Sequence, residues 1–200
     1  MIAGRRLGFL LCIAILFSGS ALRAQSEAPE HHQITAGYSF LSNSIDGVPG
    51  ARKPLNGYDA AMAFSQWHGL RFKADFSAFS GTNQGAQQNV WFIMAGGQYG
   101  WRFGREYGFV EALMGEAGIN RYWLPNKVRG QTASFSTLTG GGLDTGLNRH
   151  IAIRVQGDFL YANFNPAVAA LPTPVVIYQA VVPGLPNYFA RMSAGLVWRF

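Results

Sequence analysis

From residue 33 onward the chain alternates apolar and polar residues with a period of two. The end of the sequence shows it most clearly. Tyr188, Ala190, Met192, Ala194, Leu196, Trp198 and Phe200 share one parity, and Arg191, Ser193, Gly195 and Arg199 the other, with only Phe189 and Val197 diluting the polar set. Leu70, Phe72, Ala74, Phe76 and Ala78 alternate in the same way with Arg71, Lys73, Asp75 and Ser77. Ile151, Ile153, Val155, Phe159 and Tyr161 do so with Arg154, Gln156 and Asp158. Successive side chains of a strand point to opposite faces, so each stretch predicts a β-strand with one apolar and one polar face. Eight such segments are predicted, at 33–41, 55–67, 70–79, 89–103, 107–119, 135–147, 151–163 and 188–200.

The connections alternate in length. His68-Gly69, Gly104-Arg105-Glu106 and Asn148-Arg149-His150 read as tight hairpins, whereas 42–54, 80–88, 120–134 and 164–187 are long. Three short turns and four long loops are what an eight-stranded up-and-down barrel requires when both chain ends lie beside the short turns. Each segment is also about the length that a tilted strand needs to cross a bilayer. The prediction is therefore an all-β, eight-stranded antiparallel transmembrane barrel, with short periplasmic turns and longer extracellular loops. Hydrocarbon cannot satisfy an open sheet edge, so the first strand must pair with the last. Ile34, Ala36, Tyr38 and Phe40 would then face lipid, with Thr35, Gly37 and Ser39 inside. In the fourth strand Trp91, Ile93, Ala95, Tyr99 and Trp101 take the outward parity and supply aromatic girdles at both ends. In the fifth strand Glu111 and Glu116 have opposite parity, so either a bulge separates them or one glutamate sits at the membrane interface.

Composition narrows the field further. The 200 residues are 48% hydrophobic and only 13% charged, too apolar for a disordered chain. The net charge of +6 is partly due to the leader, because Arg5, Arg6 and Arg23 precede residue 25 with no acid among them and leave the remainder at +3. Only Lys53, Lys73 and Lys127 are lysines, and no basic patch argues for nucleic acid. Residues 1–24 have the parts of a secretory signal: Arg5-Arg6, an apolar run from Leu7 to Phe17, and small residues ending at Ala21 or Ala24. A short tail at 25–32 would follow, and then the barrel at 33–200. The single cysteine, Cys12, lies in the leader, so the exported chain would have no thiol chemistry. No run after residue 25 is long and apolar enough for a membrane-spanning helix.

The chain resembles the family of small eight-stranded outer-membrane β-barrels that includes the transmembrane domain of outer-membrane protein A. The most specific element is Met192-Ser193-Ala194-Gly195-Leu196-Val197-Trp198-Arg199-Phe200, with apolar residues alternating up to a terminal aromatic. Leu55-Asn56-Gly57-Tyr58-Asp59-Ala60-Ala61 and Lys73-Ala74-Asp75-Phe76-Ser77 are softer matches. The resemblance covers the segment from about Gln33 to Phe200. It implies outer-membrane lipid as surroundings, and passage through periplasmic chaperones and the barrel-assembly machinery, with Leu196, Trp198 and Phe200 as the assembly signal. A monomer is expected. The sequence stops at the barrel with no wall-binding domain, so a wall-anchoring role is not expected.

The inward parity carries Asp59, Arg71, Lys73, Asp75, Arg102, Asp144, Arg154, Asp158, Arg191 and Arg199, together with one glutamate. Eight strands leave an interior that side chains just fill, and buried charges must pair. The expectation is a charge network that plugs the lumen of an envelope protein with a structural or interaction role. A narrow gated channel is the alternative. A lipid-modifying enzyme is a weaker one, because His68 and His150 fall in periplasmic turns and His31 and His32 precede the first strand, away from an external catalytic rim. No metal site or cofactor is expected. A soluble lipocalin-like ligand binder is the last rival, and it would put the apolar face inside and the charges in water. Loop 120–134 is basic through Arg121, Lys127 and Arg129, with Tyr122 and Trp123 at its base; loop 164–187 has no charge and five of the nine prolines.

Overall fold

The computed structural model describes residues 32–43, 53–83, 86–123, 128–162, 164 and 188–200. The expected leader, most of the tail before the barrel and nearly all of loop 164–187 lie outside them. Eight strands follow one another: β1 (His32–Asn43), β2 (Lys53–Trp67), β3 (Leu70–Asn83), β4 (Ala86–Phe103), β5 (Glu106–Trp123), β6 (Val128–Gly146), β7 (Ile151–Ala162) and β8 (Tyr188–Arg199). Every neighbouring pair is antiparallel, and β1 pairs with β8, so the sheet closes into a barrel in chain order. Reciprocal backbone hydrogen bonds between His32 and Phe200, both 3.2 Å, complete the seam.

The register fixes the shape. Paired residues lead from His32 through Phe64, Phe72, Gly97, Ala112, Thr139, Phe159 and Ala190 back to β1 at Ser42, a stagger of ten residues. Such a stagger tilts the strands of an eight-stranded barrel, as closure requires. The short connections gather at one end, here the turn end, and the long ones at the other, the loop end. His68 and Gly69 both have positive φ, 50° and 87°, the pair that a tight primed hairpin turn needs. The Asn148 carboxamide oxygen accepts from the backbone N–H of His150 and of Ile151, both at 2.8 Å, and shapes the β6–β7 turn.

The strands run further toward the loop end than periodicity suggests. β3 and β4 reach Asn83 and Ala86, and β5 and β6 reach Trp123 and Val128. Most of the expected loop 120–134 is therefore strand, because ladder pairing continues where polar residues interrupt the apolar alternation. Among the described residues the ladder shifts register once, in β2 between Phe64 and Gln66. β5 has no shift: Glu111 is buried inside, whereas Glu116 is exposed on the outer face beside Ile93 and Phe135.

The faces are sorted as a lipid-embedded barrel needs. Ile93, Val110, Met114, Val155, Met192 and Leu196 are exposed on the outside, with Met114 62% exposed, while inward Arg191 is 1% exposed. A soluble lipocalin-like barrel requires the reverse arrangement, and that alternative is excluded by which face the charges occupy.

Candidate functional site in the barrel lumen

The lumen has two storeys. The one at the turn end and midway up is ionic. Five cations, Arg71, Lys73, Arg154, Arg191 and Arg199, and five carboxylates, Asp59, Asp75, Glu111, Asp144 and Asp158, are buried there among the described residues. An equal count matters, because a charge taken out of water without a partner carries a desolvation cost of several kcal/mol.

Strand alternation places each partner and the stagger brings distant strands to one level. Arg191 on β8 is the central cation. Its Nη1 and Nη2 donate to the two carboxylate oxygens of Asp75 on β3 at 2.8 and 3.2 Å, its Nε donates to Asp158 on β7 at 2.6 Å, and Nη1 also reaches the Ser77 hydroxyl at 3.1 Å. Lys73 donates to both oxygens of Glu111 at 3.0 and 2.9 Å and lies 3.5 Å from Asp75. Gln98 and Gln156 donate to the same glutamate at 3.2 and 2.9 Å, and Gln156 also donates to Asp158 at 3.0 and 2.9 Å. The Ser39 hydroxyl donates to Asp59.

Nearer the turn end, Arg154 grips Asp144 with two parallel bonds of 2.6 and 2.9 Å, and Arg199 adds a third at 3.3 Å. Two inward rings of β5 run through this layer. The Arg154 guanidinium lies 4.3 Å from the Phe109 ring centre and that of Arg71 lies 5.0 Å from the Tyr107 ring centre. Cations packed on ring faces keep favourable electrostatics away from water. Glycines make room for these long side chains: a Cβ at Gly100 would overlap the Tyr107 hydroxyl, and one at Gly142 would come within 2.7 Å of Phe109.

The storey at the loop end is apolar. Leu41, Leu55, Phe79, Val90, Phe92, Leu138, Leu160 and Phe189 belong to one buried cluster. Four phenylalanines meet edge to face, Phe79 with Phe92, Phe92 with Phe189, and Phe189 with Phe164, at centroid distances of 6.1, 6.1 and 6.3 Å. Phe92 is on β4 and Phe189 on β8, opposite walls of an eight-stranded ring, so this chain of rings crosses the lumen.

Of the inward charges expected from sequence, Asp59, Arg71, Lys73, Asp75, Asp144, Arg154, Asp158, Arg191 and Arg199 are buried together with Glu111. Arg102 is the exception. It keeps the inward parity of β4 but is exposed, because it stands next to the last residue of that strand, where the turn end opens. Gln98, Gln156, Ser39 and Ser77 carry the inward parity as well and satisfy the carboxylates and Arg191, whereas the apolar storey above them was not expected. Their signal was the same alternation, read at residues without charge. Leu196, Trp198 and Phe200 all lie exposed on the outer face of β8 or at its end. Among the described residues no group of three or more His, Cys, Asp and Glu side chains is arranged to hold a metal ion.

No protein-family profile matches the chain, and no curated protein is similar to it in sequence. Solved structures are similar in shape. Neisserial surface protein A superposes with a TM-score of 0.64 at 10% identity, over 84% of this chain and 97% of that one. The attachment invasion locus protein Ail of Yersinia pestis, in complex with the heparin analogue sucrose octasulfate, gives 0.55 at 11% identity, over 86% of this chain and 100% of its own. The chain has the fold of the small eight-stranded outer-membrane barrels. That fold does not by itself select an activity. The outer-membrane protease OmpT of Escherichia coli is also similar, with a TM-score of 0.50 at 9% identity, over 89% of this chain and 99% of that one.

Proposed function

We propose that this chain is an integral protein of the bacterial outer membrane whose filled lumen makes it a scaffold and interaction protein of the envelope rather than a conduit. The observation that carries this reading is the pair of stacked storeys. Phenylalanines meet across the loop end, and below them lie equal numbers of buried cations and carboxylates, with Arg191 bonded to Asp75 and Asp158, Lys73 to Glu111, and Arg154 and Arg199 to Asp144. An ion passing down the lumen from the loop end would have to cross this apolar layer to reach the ionic one. The exposed apolar outer face supports residence in lipid, and the neighbours in outer membranes support that location. On this reading the turn end is periplasmic, the loop end is external, and the terminal strand is the element that assembly factors recognise.

An enzymatic role finds no support in the histidines. His68 and His150 stand in turns and His32 at the first residue of β1, all at the turn end, whereas chemistry on lipid or substrate outside the cell needs the other rim. The test is conductance. The refolded chain, shown to be inserted by the gel shift of a heat-modifiable barrel, is added to a planar bilayer. The expected result is a silent membrane. Discrete, reproducible steps that grow when Phe92 is replaced by Ala would establish the channel alternative.

A further inference from the structure

The outer surface carries a groove that filling the lumen does not explain. On the outside of β1 to β4, the paired residues Tyr38, Tyr58, Ala78 and Trp91 form a continuous cross-strand row. Three of the four are aromatic, and the side chain of Ala78 is only a methyl group. The row therefore dips at Ala78, and a groove of about 390 Å³ opens there, with Asn56, Ser80 and Asn89 also lining it. Those three polar residues are themselves paired in a row, two residues nearer the loop end on each strand. Trp91 does not close the dip. Its indole lies against Gly118 on β5, where a Cβ would overlap the ring, so the ring leans away from Ala78. On the other side Tyr38 is braced edge to face by Phe40, with centroids 5.1 Å apart.

The chemistry of the lining selects the occupant. Aromatic walls offer flat apolar faces, and two carboxamides and a hydroxyl offer donors and acceptors along one edge. No residue lining the groove is charged. A phosphate would find no cation there, and an acyl chain would use the aromatic walls but none of the three polar groups along the edge. A sugar ring has what both lack, an apolar face of C–H bonds and an equatorial rim of hydroxyls. The groove opens sideways, at the level where the exposed apolar band gives way to polar residues, which is where the headgroup of a membrane lipid lies. We infer that this groove binds the neutral sugar of an outer-leaflet glycolipid, with Tyr58 and Trp91 flanking the ring and Asn56, Ser80 and Asn89 bonding its hydroxyls. The inference rests on reading the apolar face as the lipid face.

The test uses the full barrel in phosphatidylcholine nanodiscs, with either a neutral monoglucosyl diacylglycerol or phosphatidylglycerol as guest lipid. Native mass spectrometry measures lipid retained on the barrel, and the side-chain amide signals of Asn56 and Asn89 report the place. The expected result is retention of the glucosyl lipid about tenfold above phosphatidylglycerol, the worth of one or two satisfied hydrogen bonds, with both amide signals shifted. Ala78→Phe, which fills the dip on a face that does not touch the lumen, and Asn89→Ala should each remove most of the preference while the heat-modifiable gel shift persists. A folded, inserted barrel that retains both lipids equally, or keeps its preference in Ala78→Phe, overturns the groove and leaves the lipid face standing. Equal binding of free glucose without a lipid anchor also overturns it. A chain that fails to insert overturns the lipid face and the groove together.

Discussion

Replacing Arg191 by Leu is expected to destabilise the folded barrel by about 3–5 kcal/mol, as for the removal of one partner from a buried ion pair. The guanidinium is shared by two carboxylates on two other strands, Asp75 on β3 and Asp158 on β7, and is 1% exposed. Without it Asp158 keeps only Gln156 among its bonded partners described here, and Asp75 keeps Lys73 at 3.5 Å. Lys at 191 should recover little of the loss, because one ammonium cannot present parallel donors to Asp75 and a third to Asp158. The decisive comparison is the variant carrying Arg191→Leu, Asp75→Asn and Asp158→Asn together. With the orphaned charges gone, it should be more stable than Arg191→Leu alone. Reversible urea unfolding in lipid vesicles measures all of these, and coupling above about 1 kcal/mol is the signature of a shared network. Strictly additive losses would mean that the charges are solvated separately and that the lumen is wet.

Deleting Phe200 should do the opposite of replacing Arg199. Phe200 is 58% exposed on the outside and meets the seam through its backbone bonds to His32 and a tilted contact with the His32 ring, centroids 5.9 Å apart. Arg199 is buried and bonded to Asp144. If the terminal aromatic is read by the assembly machinery, removing it should leave little folded barrel in the membranes of cells while the same variant refolds from urea in vitro with nearly unchanged stability. Arg199→Ala should assemble in cells but unfold at lower urea, by about 1–2 kcal/mol, since Asp144 keeps the two bonds from Arg154. Quantifying folded barrel in membranes beside urea midpoints in vitro separates the two. Equal behaviour of the variants would remove the terminal-signal reading.

Alternation made most of the barrel readable from sequence. Period two gives both the strands and their faces, and a membrane barrel is unusual in that one face is apolar along its whole girth, so Leu196 and Arg191 could be sorted without knowing what either touches. What alternation does not contain is height. Arg191 meets Asp75, 116 positions earlier in the chain, because the ten-residue stagger lifts β3 and β8 to a common level, and a stagger belongs to the closed ring rather than to any strand. The shift in β2 near Phe64 is hidden for the same reason, since it shows only against a partner. Arg102 has the parity of a lumen residue and the height of a rim residue. The extra length of β4 to β6 was obscured because polar outward residues such as Asn89 and Asn120 break the apolar face where the strand leaves the membrane, although the ladder continues through them.

The measurement that bears most directly on this account is the surroundings of the outer face. Spin labels are placed singly through cysteines at Ile93, Met114 and Val155, with one at Arg149 in the β6–β7 turn as reference, and the barrel is refolded into lipid vesicles. Oxygen concentrates in the hydrocarbon and a chelated nickel complex stays in water, so their relaxation effects report which medium each label meets. The account predicts that the three strand labels are relaxed by oxygen and shielded from nickel, with the reverse at Arg149. Strand labels open to the nickel complex, or a chain that stays dissolved without lipid or detergent, would contradict it.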